Sequence, residues 1–188
     1  MTPNKQVVAV AGMAGSGKSL VVNVAEQKGY SKVVMGDEVR EETRSRNLQP
    51  TPENLGKTML DMRRTGGEAV IAKRCIPKIE KANGPNVIVD GIRSLSEVEE
   101  FRTYFRNFTL VAVYASPETR FKRIYNRKRS DDPTDWKIFQ ERDQRELSVG
   151  LGNAIAMAEH MLVNEETLEI TKNRAREILR KVEEKWKK

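Results

Sequence analysis

The sequence predicts an α/β protein: a three-layer sandwich in which a five-stranded parallel sheet is covered by helices on both faces. Three observations lead there. Five short apolar segments alternate with stretches of helical periodicity, the pattern of strands joined by crossover helices. The first segment, Val7-Val8-Ala9-Val10-Ala11, is continuously apolar and largely β-branched, as a strand buried on both faces must be. It runs directly into a glycine-rich loop, after which Val21, Val24 and Ala25 recur at helical spacing.

The strand candidates are residues 6–11, 32–35, 86–90, 110–115 and 160–164. Helix starts are marked by capping chemistry. Ser94-Leu95-Ser96-Glu97 is a capping box, with Leu95, Val98, Phe101 and Phe105 following on one side. Thr51-Pro52, Ser116-Pro117 and Asp132-Pro133 each set a capping residue before a proline at the first helical position. The last helix carries Ile178, Val182 and Trp186 at i, i+4, i+8, a core-facing stripe. Two regions exceed what simple crossovers need. Residues 37–84 read as two or three short helices, broken at Gly66-Gly67 and kinked at Pro77, and are expected to form an acceptor-binding insert. Residues 127–147 are charged and are expected to form a lid. The core is then 1–36, 85–126 and 148–188 of a single domain spanning 1–188. Both insertions follow strand C-termini, where α/β sheets bind ligands.

The loop itself, Gly12-Met13-Ala14-Gly15-Ser16-Gly17-Lys18-Ser19, matches G-x-x-x-x-G-K-[ST], whose backbone N–H groups wrap nucleoside triphosphate phosphates. Gly15 and Gly17 allow close backbone approach, and the helix N-terminus behind them favours negative charge. Lys18 is expected to reach the β- and γ-phosphates and the Ser19 hydroxyl to help hold Mg²⁺. Gly12, Ala14, Ser16 and Leu20 complete the expected ATP-binding run. ATP or GTP is the expected ligand.

Composition narrows the partners. A chain of 188 residues suffices for one domain with a substantial core. The formal charge of +7 favours acidic partners, nucleotides and nucleic acids alike. No aromatic-rich RNA-binding motif is present, so nucleotide substrates are the expected partners, with the chain a monomer or homodimer. No segment approaches the length of a membrane span. One cysteine, Cys75, and one histidine, His160, exclude an internal disulfide and a four-ligand zinc site, and point to a cytoplasmic protein. His160 opens an apolar strand and is expected to be structural.

Two other strand ends carry an acid followed three residues later by an arginine: Asp37 with Arg40, and Asp90 with Arg93. An arginine fork suits phosphate better than a lysine point charge, so the pair suggests a second phosphate-bearing ligand opposite the γ-phosphate. Asp90, closing an apolar strand, is the candidate for ordering Mg²⁺ through its waters. Asp37 is either a helix cap or a reacting carboxylate. Arg63, just before Gly66-Gly67, is a candidate third arm on the acceptor phosphate. Met59 and Met62 are expected in the core of the insert.

Here the chain resembles the P-loop nucleoside monophosphate kinases. Gly36-Asp37-x-x-Arg40 is similar to the G-D-x-x-R of adenylate kinases, and Asp90-Gly91-Ile92-Arg93 to their D-G-F-P-R. The proline is absent and Arg93 comes one residue early. The resemblance is closest to archaeal adenylate-kinase-related, dephospho-CoA kinase-like proteins. It implies ATP as donor, Mg²⁺ as cofactor, and Arg40 and Arg93 on the phosphate of AMP or a related acceptor. The segment from Ala115-Ser116-Pro117 through Arg120, Arg123 and Arg127 resembles short-lid kinases. By that resemblance Arg123 and Arg127 lie near the donor, Arg127 against the adenine. Arg142 or Arg145 supplies charge to the transferring group, and Asn164 contacts the donor base. Catalysis then falls to Lys18, Arg93 and Arg127, joined by Asp37 as base if the acceptor is a hydroxyl, as on dephospho-CoA. A third reading is an adenylate-kinase-like ATPase switch acting on RNA or a protein.

Overall fold

The computed structural model describes residues 5–127 and 132–187. In chain order the elements are β1 (Gln6–Ala11), α1 (Lys18–Gln27), β2 (Ser31–Val34), α2 (Met35–Ser45), α3 (Pro52–Gly66) and α4 (Val70–Lys81). There follow β3 (Asn86–Ile92), α5 (Leu95–Tyr104), β4 (Asn107–Tyr114), α6 (Pro117–Arg127), α7 (Trp136–Ser148), α8 (Leu151–Ala156), β5 (His160–Val163) and α9 (Leu168–Trp186). The five strands form one parallel sheet in the order β2-β3-β1-β4-β5. This is the α/β architecture the sequence predicts.

β1 is central because it is the strand with no polar face: Val7 to Ala11 are all fully buried. Its side chains alternate between two cores. Val7, Ala9 and Ala11 pack with β3 and with residues of α2, α4 and α5, while Val8 and Val10 pack against α1 and α9. The helix α1 leaves β1 toward one edge of the sheet, and β4 lies on the other side of β1. The loop after β1 therefore sits at the topological switch point, open for a ligand at the strand C-termini.

Several boundaries differ from the sequence expectation, each for a physical reason. β4 begins three residues early because Asn107, Phe108 and Thr109 pair with Gln6, Val7 and Val8 along the full length of β1. β3 continues past Asp90 through a bulge: Val10 faces Asp90, Ala11 faces Ile92, and Gly91 is the extra residue, at φ 110°. β2 ends at Val34, and α2 starts at Met35 without a connecting loop, so Asp37 and Arg40 lie on a helix rather than on a strand end. Asp132-Pro133 does not open a helix. The cap is Asp135, whose carboxylate accepts the Ile138 N–H at 2.9 Å, and α7 begins at Trp136. Asp132 is drawn instead to Arg127, with bonds of 2.8 and 2.7 Å. Of the lid expected over 127–147, residues 128–131 lie outside the described residues.

The other caps are as read: Thr51 caps α3, Ser94 and Glu97 form a reciprocal capping box, and Gly67 ends α3. Pro77 stands inside α4. Among the described residues no helix is long and apolar enough to cross a membrane.

Cys75 is fully buried on α4, and burial, with Glu38 nearby, pushes its thiol up to about 12. The native protein is therefore expected to resist a thiol reagent at pH 8 and to react with one equivalent only when unfolded in urea, a colorimetric check on the placement of α4.

Candidate active site

The glycine loop is built by backbone conformations that exclude side chains. Gly15 stands at φ 79°, and a Cβ there would lie 2.7 Å from the Arg120 carbonyl and 2.9 Å from Ile124 Cδ1. Gly17 stands at φ 98°, with Asn164 Nδ2 only 2.1 Å from where a Cβ would be. The loop carries glycine where both the backbone and its neighbours demand it.

Lys18 opens α1 and turns back into the loop, donating to the Gly12 carbonyl at 2.6 Å and the Met13 carbonyl at 3.3 Å. Desolvation lowers its pKa, against the opposing pull of Glu146 and Asp90, with Arg93 and Arg142 reinforcing the lowering. Those four side chains set the electrostatic environment of the Lys18 ammonium. Asp90 arrives from the end of β3, opposite Val34 and Val10 in the neighbouring strands. Its Oδ1 is buried and has no hydrogen-bond partner among the described residues. The Ser19 hydroxyl lies on the exposed side of the first turn of α1.

This oxygen-donor pair fits Mg²⁺, a hard cation held by few protein groups and completed by water and phosphate. Among the described residues no cluster of three or more His, Cys, Asp or Glu would hold a metal without such help.

Arg93 follows β3 directly. Its Nη1 lies 3.4 Å from Glu146 Oε1, and its position is fixed through its own backbone N–H, which donates to Glu97 Oε2 at 2.8 Å. Arg40 does not converge on the loop in the same way. Spaced i,i+3 from Asp37 on α2, it folds back to bond that carboxylate through Nε at 3.0 Å and Nη2 at 2.5 Å, and both side chains are about half exposed. Arg63 is not at the surface of the cleft. It is buried in α3 and donates to Glu97 Oε1 at 2.7 Å, while its Nε and Nη1 find no partner among the described residues. Met62 is buried and Met59 packs against the same core.

The expected donor-side residues are spent on the loop's own scaffolding. Arg123 donates to the Asn164 carbonyl at 3.0 Å and to the Ser16 carbonyl at 3.4 Å. Asn164 is buried; its Nδ2 donates to the Ser16 carbonyl at 2.8 Å and its Oδ1 accepts from Thr171 at 3.2 Å. Both side chains bond the Ser16 carbonyl and so brace the loop. Arg127 is held by Asp132. Of the lid pair, Arg142 faces the site, 3.7 Å from Glu146, whereas Arg145 is exposed. His160 is partly buried, and burial lowers its pKa.

Two site residues are not foreseen by the sequence reading. Arg120 is buried, bonds the Ala14 carbonyl at 3.1 Å and Asp143 at 2.9 Å, and stacks over Phe139 at 4.9 Å. It ties α6, α7 and the loop together. Glu146, on α7, accepts the Ala14 N–H at 3.1 Å. Burial alone would raise its pKa; the charges of Arg93, Lys18 and Arg142 and the Ala14 N–H reverse this and hold it below the usual carboxylate range. The available signal was the i,i+3 spacing of Asp143 and Glu146, which puts two acids on one face of a helix otherwise read for its arginines.

This arrangement can hold a polyphosphate at the loop, a cation beside it, and an anion facing Arg93.

Known proteins resemble this chain in sequence and in fold. A sequence profile described as an AAA domain matches residues 11–138. A UPF0200 protein of Hyperthermus butylicus is 47% identical over 94% of this chain and 94% of its own. Among solved structures, shikimate kinase from Bacteroides thetaiotaomicron has a TM-score of 0.64 at 13% identity, covering 93% of this chain and 98% of its own. A gluconokinase from Sinorhizobium meliloti has 0.59 at 16%, covering 99% and 98%. The fold is thus that of the P-loop kinases, and the chain belongs to the family of archaeal UPF0200 proteins, built around an AAA domain.

Proposed function

We propose that this protein is an ATP-dependent phosphotransferase of the nucleoside monophosphate kinase type, moving the γ-phosphate of ATP to AMP or a related nucleotide. The observation that carries the reading is Arg93, a guanidinium at the end of β3 that lies 3.4 Å from Glu146, the carboxylate bonded to the loop at the Ala14 N–H. Two phosphates brought together repel, and a cation between them lowers that cost as charge shifts toward the leaving group.

In this reading Lys18 and the loop N–H groups hold the donor phosphates. Ser19 and, through water, Asp90 hold Mg²⁺, which when bound offsets charge on the donor phosphates. Arg93 and Arg142 face the transferring group. The insert 37–84 receives the acceptor, with Arg40 at its rim, and residues 127–147 act as the lid. The partnerless Nε and Nη1 of Arg63 support a place for it behind the acceptor phosphate. An acceptor phosphate is already largely ionised near neutrality, its second pKa being about 6, so no general base is required.

A second reading has one observation in its favour. Asp37 is held by Arg40 beside the cleft and half exposed, the arrangement of a carboxylate able to take a proton from a hydroxyl acceptor. Shikimate kinase and gluconokinase, which share the fold, are named for acceptors that are not nucleotides. Asp37→Asn separates the readings. It is expected to leave turnover on AMP largely intact, whereas on a hydroxyl acceptor such as dephospho-CoA it cuts turnover by about 10²–10⁴-fold. The reading itself is tested by ADP release from MgATP with each acceptor in turn. Acceptor-dependent release supports it; hydrolysis stimulated only by RNA or by a protein contradicts it.

A further inference from the structure

Glu146 has the wrong sign of charge for a phosphate site, yet it holds the place there that an anion would hold. Its carboxylate takes the Ala14 N–H at 3.1 Å on Oε2, while Oε1 lies 3.4 Å from Arg93 Nη1 and 3.7 Å from Arg142 Nε. Lys18 is close enough to lower its pKa. One loop N–H and three cations are the partners an oxygen of a bound phosphate would recruit. They converge instead on a side chain 132 residues away from the loop in sequence.

The placement is secured from the same helix. Asp143, one turn earlier on α7, bonds Arg120, which in turn bonds the Ala14 carbonyl. The loop residue Ala14 is therefore gripped at its carbonyl through Arg120 and at its N–H by Glu146. At the other end, Phe139 of α7 packs with Ile124 and Ala14 in a small apolar cluster, and Trp136 packs on Phe121. α7 is docked on the loop by its acids as much as by its apolar face.

We propose that Glu146 is a resident stand-in for phosphate: it occupies the anion position of the loop when no nucleotide is bound and is displaced by the incoming phosphates. The inference rests on the reading of the loop as a nucleotide site. Displacement has a second consequence. It releases Arg93 from Glu146 at the moment a phosphate arrives to take it, so nucleotide entry and delivery of that arginine become one event. The enzyme without nucleotide is held in a self-occluded state, and the bound phosphates supply the differential interaction that releases α7.

The test is equilibrium binding of ADP, with and without Mg²⁺, to the wild type and to Glu146→Gln, with adenosine as the phosphate-free probe. The amide keeps size and shape but removes the competing charge. ADP is expected to bind about ten- to a hundredfold more tightly to the variant, the worth of a hydrogen-bonded charge, and adenosine to bind both equally. Glu141→Gln, an exposed site on α7 with the same change in net charge, is expected to alter ADP affinity less than about threefold. Should the amide variant fail to fold, Glu146→Ala carries the same test, since it too removes the competing charge. ADP binding that is unchanged or weaker in the variant, while the wild type binds, overturns the stand-in and leaves the nucleotide site intact. Failure of both proteins to bind ADP overturns the nucleotide reading, and the stand-in with it.

Discussion

Lys18→Ala is expected to cut ATP-dependent phosphoryl transfer by about 10²–10³-fold, the cost of removing one donor aimed at charge that develops in the transition state. The lysine is ready for that task in an unusual sense. Its ammonium feels the charges of Glu146, Asp90, Arg93 and Arg142, and it donates to neutral carbonyls of its own loop at 2.6 and 3.3 Å. Carbonyls are weaker partners for a desolvated cation than phosphate oxygens are, so the site gains when the triphosphate arrives. The same argument predicts little effect on folding. Truncation gives up two hydrogen bonds and also removes a costly desolvated charge, so urea unfolding should shift by less than about 1 kcal/mol. Steady-state kinetics beside a urea melt separate the two effects.

The largest stability effect is expected at Glu97→Ala. Glu97 is 1% exposed and carries three duties at once. Oε1 accepts from Arg63 at 2.7 Å, and Oε2 accepts the N–H groups of Arg93 at 2.8 Å and Ser94 at 3.2 Å. Removing it strands the Arg63 guanidinium in the core, already short of partners at Nε and Nη1, at a cost of about 3–5 kcal/mol. Loss of the capping box adds about 1 kcal/mol. Against a total stability of about 5–15 kcal/mol, that is enough to make the fold marginal. The double variant Arg63→Met with Glu97→Leu removes the stranded charge along with its partner and should recover most of the ion-pair loss in urea melts. It should not recover acceptor affinity, because the backbone of Arg93 has lost its tether and the Arg63 guanidinium is gone.

The parts of this structure legible in the sequence are those written locally. β1 and the glycine loop announce themselves because an uninterrupted apolar strand, a run of glycines and a following amphipathic helix are contiguous. The capping box of α5 is equally local. What escaped the reading depends on pairings that no local motif announces. The bulge at Gly91, which carries β3 past Asp90, exists only because β1 pairs alongside. Asp132 and Asp135 are both competent caps, and the choice between them follows from the pairing of Asp132 with Arg127. The pairing of Arg40 with Asp37 follows from α2 starting at Met35, which sets the two at i,i+3 on a helix. Arg123 and Asn164 carry a bracing duty that no motif announces, since both bond the Ser16 carbonyl beside the tight turn at Gly17. Glu146 escaped for a different reason: a phosphate motif raises the expectation of cations, and an acid enters such a site only where the fold has a use for its charge.

The most direct measurement follows the fate of a label. The protein is incubated with Mg²⁺, ATP labelled at the γ-phosphate, and AMP, CMP, UMP, GMP or dephospho-CoA in turn, and the labelled product is identified by chromatography. The two-pocket account predicts label in one acceptor, formed only when that acceptor is present and at a rate cut about 10²–10³-fold by Lys18→Ala. Label that appears solely as inorganic phosphate, at a rate no acceptor alters, would contradict it.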